Sequence, residues 1–188
     1  MGLDMYARRK LYVKQWSHQK PEERYTVHVE RGGKPIVGFQ ADRVSSVDEE
    51  VMYWRKANHI HAWFVDNVQD GKDDCREYEV DWDKLRELHG VCFDVMSASK
   101  LVKGMVHHYE TWDKKTDAMV VHRRPGQVIK NPSVAKELLP TKKGFFFGTD
   151  EYDEDYLCEI ERTLAWTMSM LSEYKSGFPA RIYYQSSW

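Results

Sequence analysis

Tyr53-Trp54-Arg55-Lys56-Ala57-Asn58-His59-Ile60-His61-Ala62-Trp63 is the stretch on which a reading of this chain turns. At about 100° per residue, Tyr53, Ala57, Ile60, Phe64 and Val68 share one stripe, which predicts a helix over 52–68 with that stripe facing the core. Trp54, Asn58, His61 and Val65 fall on one shoulder of the stripe, and Lys56 and Trp63 on the other. Arg55, His59 and Asp66 point away from the core. A half-buried shoulder of this kind can wall a pocket: an indole offers a stacking face, an amide both donates and accepts, and an imidazole does either. The competing structural reading makes Trp54 and Trp63 edge-of-core residues, with Asn58 and His61 satisfied by neighbouring loops.

Outward from that helix, the N-terminal side reads as strands. Residues 3–13 and 25–30 carry strand patterns, and Gly32-Gly33 turns the chain into a hairpin partner at 34–40. The polar stretch 41–50 then leads into the helix. On the C-terminal side, Asp81 is a good N-cap for a second helix with Leu85, Leu88, Cys92, Val95, Met96 and Ser99 on one face. Residues 105–112 and 118–124 alternate like strands around the turn DKKTD at 113–117. Asn131-Pro132 opens a short helix through Leu138, which Pro140 ends. KKGFFFGT at 142–149 is a glycine-bounded apolar run, strand-like or an ordered loop. A third long helix is expected over 151–175, with Tyr152, Tyr156, Ile160, Thr163, Thr167 and Met170 inward and Gly177 and Pro179 as stops. RIYYQSSW closes the chain as a strand. The expected fold is a single α+β domain over 1–188, a mostly antiparallel sheet packed with about three main helices.

The totals narrow the function classes. A chain of 188 residues and 22.3 kDa can bury roughly 70% of its unfolded surface in one core. A net charge of −2 and a pI near 6.4 leave no polybasic footprint, which argues against duplex nucleic acid as a partner. Cys75, Cys92 and Cys158 are too few and too scattered for a disulfide framework, which suits a reducing cytoplasm. No signal segment or membrane-length apolar run is visible, and Tyr6 stands where a myristoylation motif needs Ser or Thr.

Each candidate for metal chemistry has a plainer reading. Asp66, Asp70, Gly71, Asp74 and Glu77 match positions of a calcium loop, but Val68 stands where an oxygen ligand belongs, so a solvated turn is the better account. His59 and His61 point in nearly opposite directions from a helix and cannot chelate together. Asp150 to Asp155 loads acid onto a helix start, where carboxylates stabilise the helix dipole. Lys142 and Lys143 are the better anion candidates. No nucleophile, zinc, P-loop or dinucleotide pattern occurs.

The blocks MGLDMY at 1–6, YWRKANHIHAWFV at 53–65, VQDGKDDC at 68–75, ELLPTKKGFFFG at 137–148, EYDEDY at 151–156 and IYYQSSW at 182–188 resemble those of a family of small uncharacterised bacteriophage and prophage proteins. The resemblance covers most of the chain and carries no catalytic residues over. It implies an accessory phage protein in the bacterial cytoplasm, of the kind that counters host defence. The expected activity is binding of a small nucleotide-like ligand, with no cofactor, through Trp54, Arg55, Asn58, His61, Lys142 and Lys143, with Lys56 nearby. The alternatives are an inhibitor that docks on a host protein, and a metal-dependent hydrolase built on the acidic clusters. Self-association into a homo-oligomer is left open.

Overall fold

The computed structural model describes residues 2–144 and 147–188. The organising element is a four-stranded antiparallel sheet assembled from distant parts of the chain. Its strands are β1 (Asp4–Tyr12), β4 (Ser46–Arg55), β5 (Tyr78–Val80) and β8 (Ala180–Ser187), in the spatial order β4-β1-β8-β5. A minimal hairpin of β2 (Glu30–Arg31) and β3 (Lys34–Pro35) interrupts the path from β1 to β4. Gly32 and Gly33 form its turn, both at positive φ (61° and 74°), where a side chain would be strained. A separate two-stranded ribbon pairs β6 (Leu101–Asp113) with β7 (Ala118–Ile129) around the expected turn, with a bulge at His108.

Four helices complete the α+β fold: α1 (Asn58–Asn67), α2 (Trp82–Ala98), the short α3 (Ser133–Leu138) and α4 (Glu154–Lys175). Asp81 caps α2 by accepting from Lys84 N at 2.7 Å. Asp153 caps α4 by accepting from Asp155 N and Tyr156 N at 3.1 and 3.0 Å. The third long helix therefore starts at Glu154, three residues later than its acidic approach suggests. One face of the sheet, carrying Met5, Ala7, Trp54, Ile182 and Tyr184, meets Ile60 and Phe64 of α1, Leu85 and Leu88 of α2 and Ile160 of α4 in a single core. Among the described residues, no helix is long and apolar enough to cross a membrane.

The largest correction falls on the opening stretch. Residues 46–55 form a strand, not the approach to and start of a helix. Tyr53 pairs with Tyr6 and Trp54 with Met5, so the two side chains point to opposite faces, as neighbours on a strand must. Tyr53 is only half-buried, and its hydroxyl donates to Asp4 on the outer face. Trp54 is fully buried, and its indole N–H donates to Thr163 Oγ1 at 2.8 Å. The switch to helix occurs at Lys56, held at φ 61°. No α-helix runs through that conformation.

The helix that follows has no half-buried shoulder. Asn58 to Val65 are all buried, because this short helix is covered on every side. His59, expected to point outward, is 4% exposed. Two further expectations shrink: the strand at 25–30 reduces to Glu30–Arg31, and its partner at 34–40 to Lys34–Pro35. The strand-like reading of 142–149 includes residues 145–146, which lie outside the described residues.

Candidate functional site

The candidate site lies at the β4–α1 junction, where the strand gives way to the helix at Lys56. Gly148 packs against that residue: a Cβ there would meet Lys56 Cβ at 3.0 Å and Lys56 O at 3.1 Å. Asn58, in the first turn of α1, locks the same loop in place. Its side-chain amide donates to Phe147 O at 2.9 Å and Thr149 O at 2.8 Å, and its Oδ1 accepts from Lys142 N at 2.9 Å. Three bonds from one buried amide fix Lys142, Phe147 and Thr149 against the helix. We expect Asn58→Ala to cost roughly 1–3 kcal/mol, the range for leaving a buried hydrogen-bond partner unsatisfied. It should also open 142–149 to limited proteolysis; an uncleaved, equally stable variant would show that the amide does not hold the loop.

The root of the β6–β7 ribbon closes the other side. Glu151 accepts from His107 N at 2.9 Å and pairs with Arg123 at 2.5 Å. Arg124 pairs with Glu154 at 3.3 Å, and Ile129 N donates to Tyr152 O at 2.9 Å. Between these walls runs a cleft of about 740 Å³, within the size range of small-molecule sites, roughly 300–1,000 Å³. Arg55, Lys56 and Arg123 bring positive charge to its lining, and Glu110, Asp150, Glu151, Asp155 and Glu159 bring negative; Glu151 and Asp150 are already paired with Arg123 and Lys143. Burial raises the Glu159 carboxyl above its ordinary pKa, partly offset by Arg162 beside it.

His59 is the unusual member of that lining. Its ring lies 4.2 Å from the ring of Tyr156, and burial depresses its pKa to about 3. The imidazole is therefore neutral at physiological pH, with one donor and one acceptor nitrogen. Among the described residues its buried Nε2 has no hydrogen-bond partner, a state that native interiors rarely tolerate without a reason.

The structure separates the residues that helical spacing grouped together. Arg55, Lys56 and Asn58 line the cleft. Trp54 is core and offers no stacking face to it. His61 is used up internally: its Nδ1 meets Tyr184 Oη at 2.7 Å and its Nε2 meets Asp73 Oδ2 at 2.9 Å. A carboxylate only accepts, so Nε2–H donates to Asp73 and the tyrosine hydroxyl donates to Nδ1. Trp188 adds its indole N–H to the same carboxylate at 3.0 Å, so this chain of groups pins the C-terminal strand to the 69–77 loop. Lys142 pairs with Asp66 at 3.5 Å and Lys143 with Asp150 at 3.0 Å, and neither belongs to the cleft lining.

The acidic segments are likewise engaged one residue at a time. Asp74 accepts from Tyr78 Oη and Arg76 N, both at 3.1 Å, and Glu77 pairs with Lys10. Among the described residues, no three His, Cys, Asp or Glu groups converge as a metal site. Cys75, Cys92 and Cys158 are free, and Cys158 lines the cleft. Sequence reasoning did not group His59 of α1, His107 and Arg123 of the ribbon and Asp155 of α4, which the fold brings to one cleft from segments far apart in the chain. The available hint was the polarity of His107-His108 within an otherwise strand-like alternation. No family model, curated protein or solved structure matches the chain.

Proposed function

We propose that this protein binds a small nucleotide-like ligand in the cleft between the β4–α1 junction and the root of the β6–β7 ribbon. The observation that carries the reading is a cleft of small-molecule size at the β4–α1 junction, lined by the neutral imidazole of His59 beside Arg55 and Lys56. A neutral donor–acceptor ring suits the polar edge of a base, and the two cations suit an anionic group. Asp155 and Glu159 supply further acceptors for amino groups. The resemblance to phage proteins suggests the setting: sequestration of a host defence nucleotide in the bacterial cytoplasm, by binding and not by turnover.

Calorimetry with nucleotides and cyclic dinucleotides tests this on the parent, Lys56→Ala and His59→Phe proteins. A ligand should bind the parent and raise its melting temperature, because it stabilises only the native state. Each substitution should weaken binding about tenfold, the loss of one hydrogen bond or charge contact. The reading fails if no nucleotide binds the parent, or if both variants bind as the parent does.

A further inference from the structure

The charges lining the cleft constrain its ligand once those neutralised within the chain are set aside. Three cations stand there against five carboxylates, so the lining is negative overall. Most of these groups are engaged. Arg123 holds Glu151 at 2.5 Å, Lys143 holds Asp150 at 3.0 Å, Arg162 holds Glu159 at 2.8 Å and Arg55 holds Asp4 at 3.3 Å. Glu110 lies 3.5 Å from His107 Nε2. Among the described residues, Lys56 and Asp155 are the charged groups of the lining left without an oppositely charged partner. Both are exposed and free to meet a ligand.

Lys56 also sits at φ 61°, a left-handed position that strains any side chain, and strained residues of this kind cluster at binding sites. One ammonium matches one phosphate group. A polyphosphate would set further negative charges against a negative lining, and like charges brought together weaken binding. The unpaired carboxylate of Asp155 only accepts hydrogen bonds, whereas the neutral imidazole of His59 offers one donor and one acceptor. The edge of adenine, an amino group beside a ring nitrogen, is complementary to that pair. Uracil presents a carbonyl oxygen where adenine has its amino group, and that oxygen would face the carboxylate lone pairs.

We infer that the ligand is an adenine-type nucleotide with a single phosphate, its phosphate at Lys56 and its amino group at Asp155. This rests on the nucleotide binding proposed for the same cleft. Asp155 then sets the choice of base, and the negative lining sets the number of phosphates.

Calorimetry of the full chain with adenosine monophosphate, uridine monophosphate and adenosine triphosphate, without divalent cations, tests the inference. Adenosine monophosphate should bind about tenfold more tightly than either of the others, the effect of one hydrogen bond or charge contact. Asp155→Asn should shrink the adenosine-over-uridine preference by about tenfold, because an amide can also donate to the uracil carbonyl. A merely structural effect would weaken both monophosphates alike and leave their ratio unchanged. Asp155 is exposed and follows the Asp153 cap, so circular dichroism should show a folded variant, and the comparison of ligands on the parent needs no variant. The inference falls if adenosine triphosphate or uridine monophosphate binds the parent as tightly as adenosine monophosphate, or if Asp155→Asn leaves the ratio unchanged. Nucleotide binding itself survives each of those results. A cyclic dinucleotide that binds where none of the three does would likewise overturn the inference alone, whereas a parent that binds no nucleotide overturns both.

Discussion

Phe64→Ala should lower the unfolding free energy by roughly 3–5 kcal/mol, the cost of truncating a fully buried phenyl ring in a core that cannot collapse into the space. Phe64 is 0% exposed. Its ring stacks on Tyr184 with centroids 3.9 Å apart and planes within 10°, and it meets Trp54 edge-on at 6.0 Å. Trp54 in turn meets Trp166 of α4 at 5.2 Å, so the phenylalanine joins three elements: the helix α1, the edge strand β4 and the C-terminal strand β8. The strands on either side of the cavity are held by backbone ladders and cannot close it, which places the cost toward the upper part of the range. Urea denaturation measures it directly. A variant as stable as the parent, with an unchanged denaturant slope, would show that α1 does not centre the core.

The contrast between α2 and β4 shows why some of this fold is legible in the sequence and some is not. Asp81 and the spacing of Leu85, Leu88, Cys92 and Val95 are local signals, and the helix they predict is present with its cap and its buried face. The strand at 3–13, the ribbon around 113–117 and the closing strand are readable for the same reason. β4 carries a misleading local signal. Tyr53, Ala57, Ile60 and Phe64 satisfy helical spacing, yet only the last two lie within the helix. What decides the first is pairing with Tyr6 of β1, 47 residues back, and the left-handed turn at Lys56. Neither is visible to a local periodicity, and tertiary pairing overrides it.

The candidate site follows the same rule. Arg55, Lys56 and Asn58 reach the cleft, because the chain bends there whichever element precedes the bend. Trp54 and His61 do not, because their assignment rested on a shoulder that a helix covered on all sides lacks. The opposite wall of the cleft comes from His107 and Arg123 on the ribbon and Asp155 on α4, and no spacing rule links those positions to residue 59.

Acidification should cost this protein stability through His59 in particular. The imidazole has a pKa near 6.5 when solvated and about 3 when folded, because burial disfavours its charged form. Between those values the unfolded chain binds a proton that the folded chain refuses, so stability rises with pH across the window and is lost as pH falls through it. At about pH 4.5 the difference amounts to roughly 3 kcal/mol, on the scale of about 1.4 kcal/mol per pH unit below 6.5. Carboxylates also titrate in this range, so the comparison that isolates the imidazole is with His59→Phe. That substitution keeps a flat ring against Tyr156 and removes the buried, unpartnered nitrogen, and apolar replacement of an unsatisfied polar group is neutral or favourable. Urea denaturation of both proteins from neutral pH down to about pH 4.5 should therefore give two curves that start close together and diverge on acidification, with the parent falling faster. Parallel curves would mean that His59 is protonated in the folded state, and an imidazolium in the cleft would be a donor only, without the acceptor that the base-reading role requires.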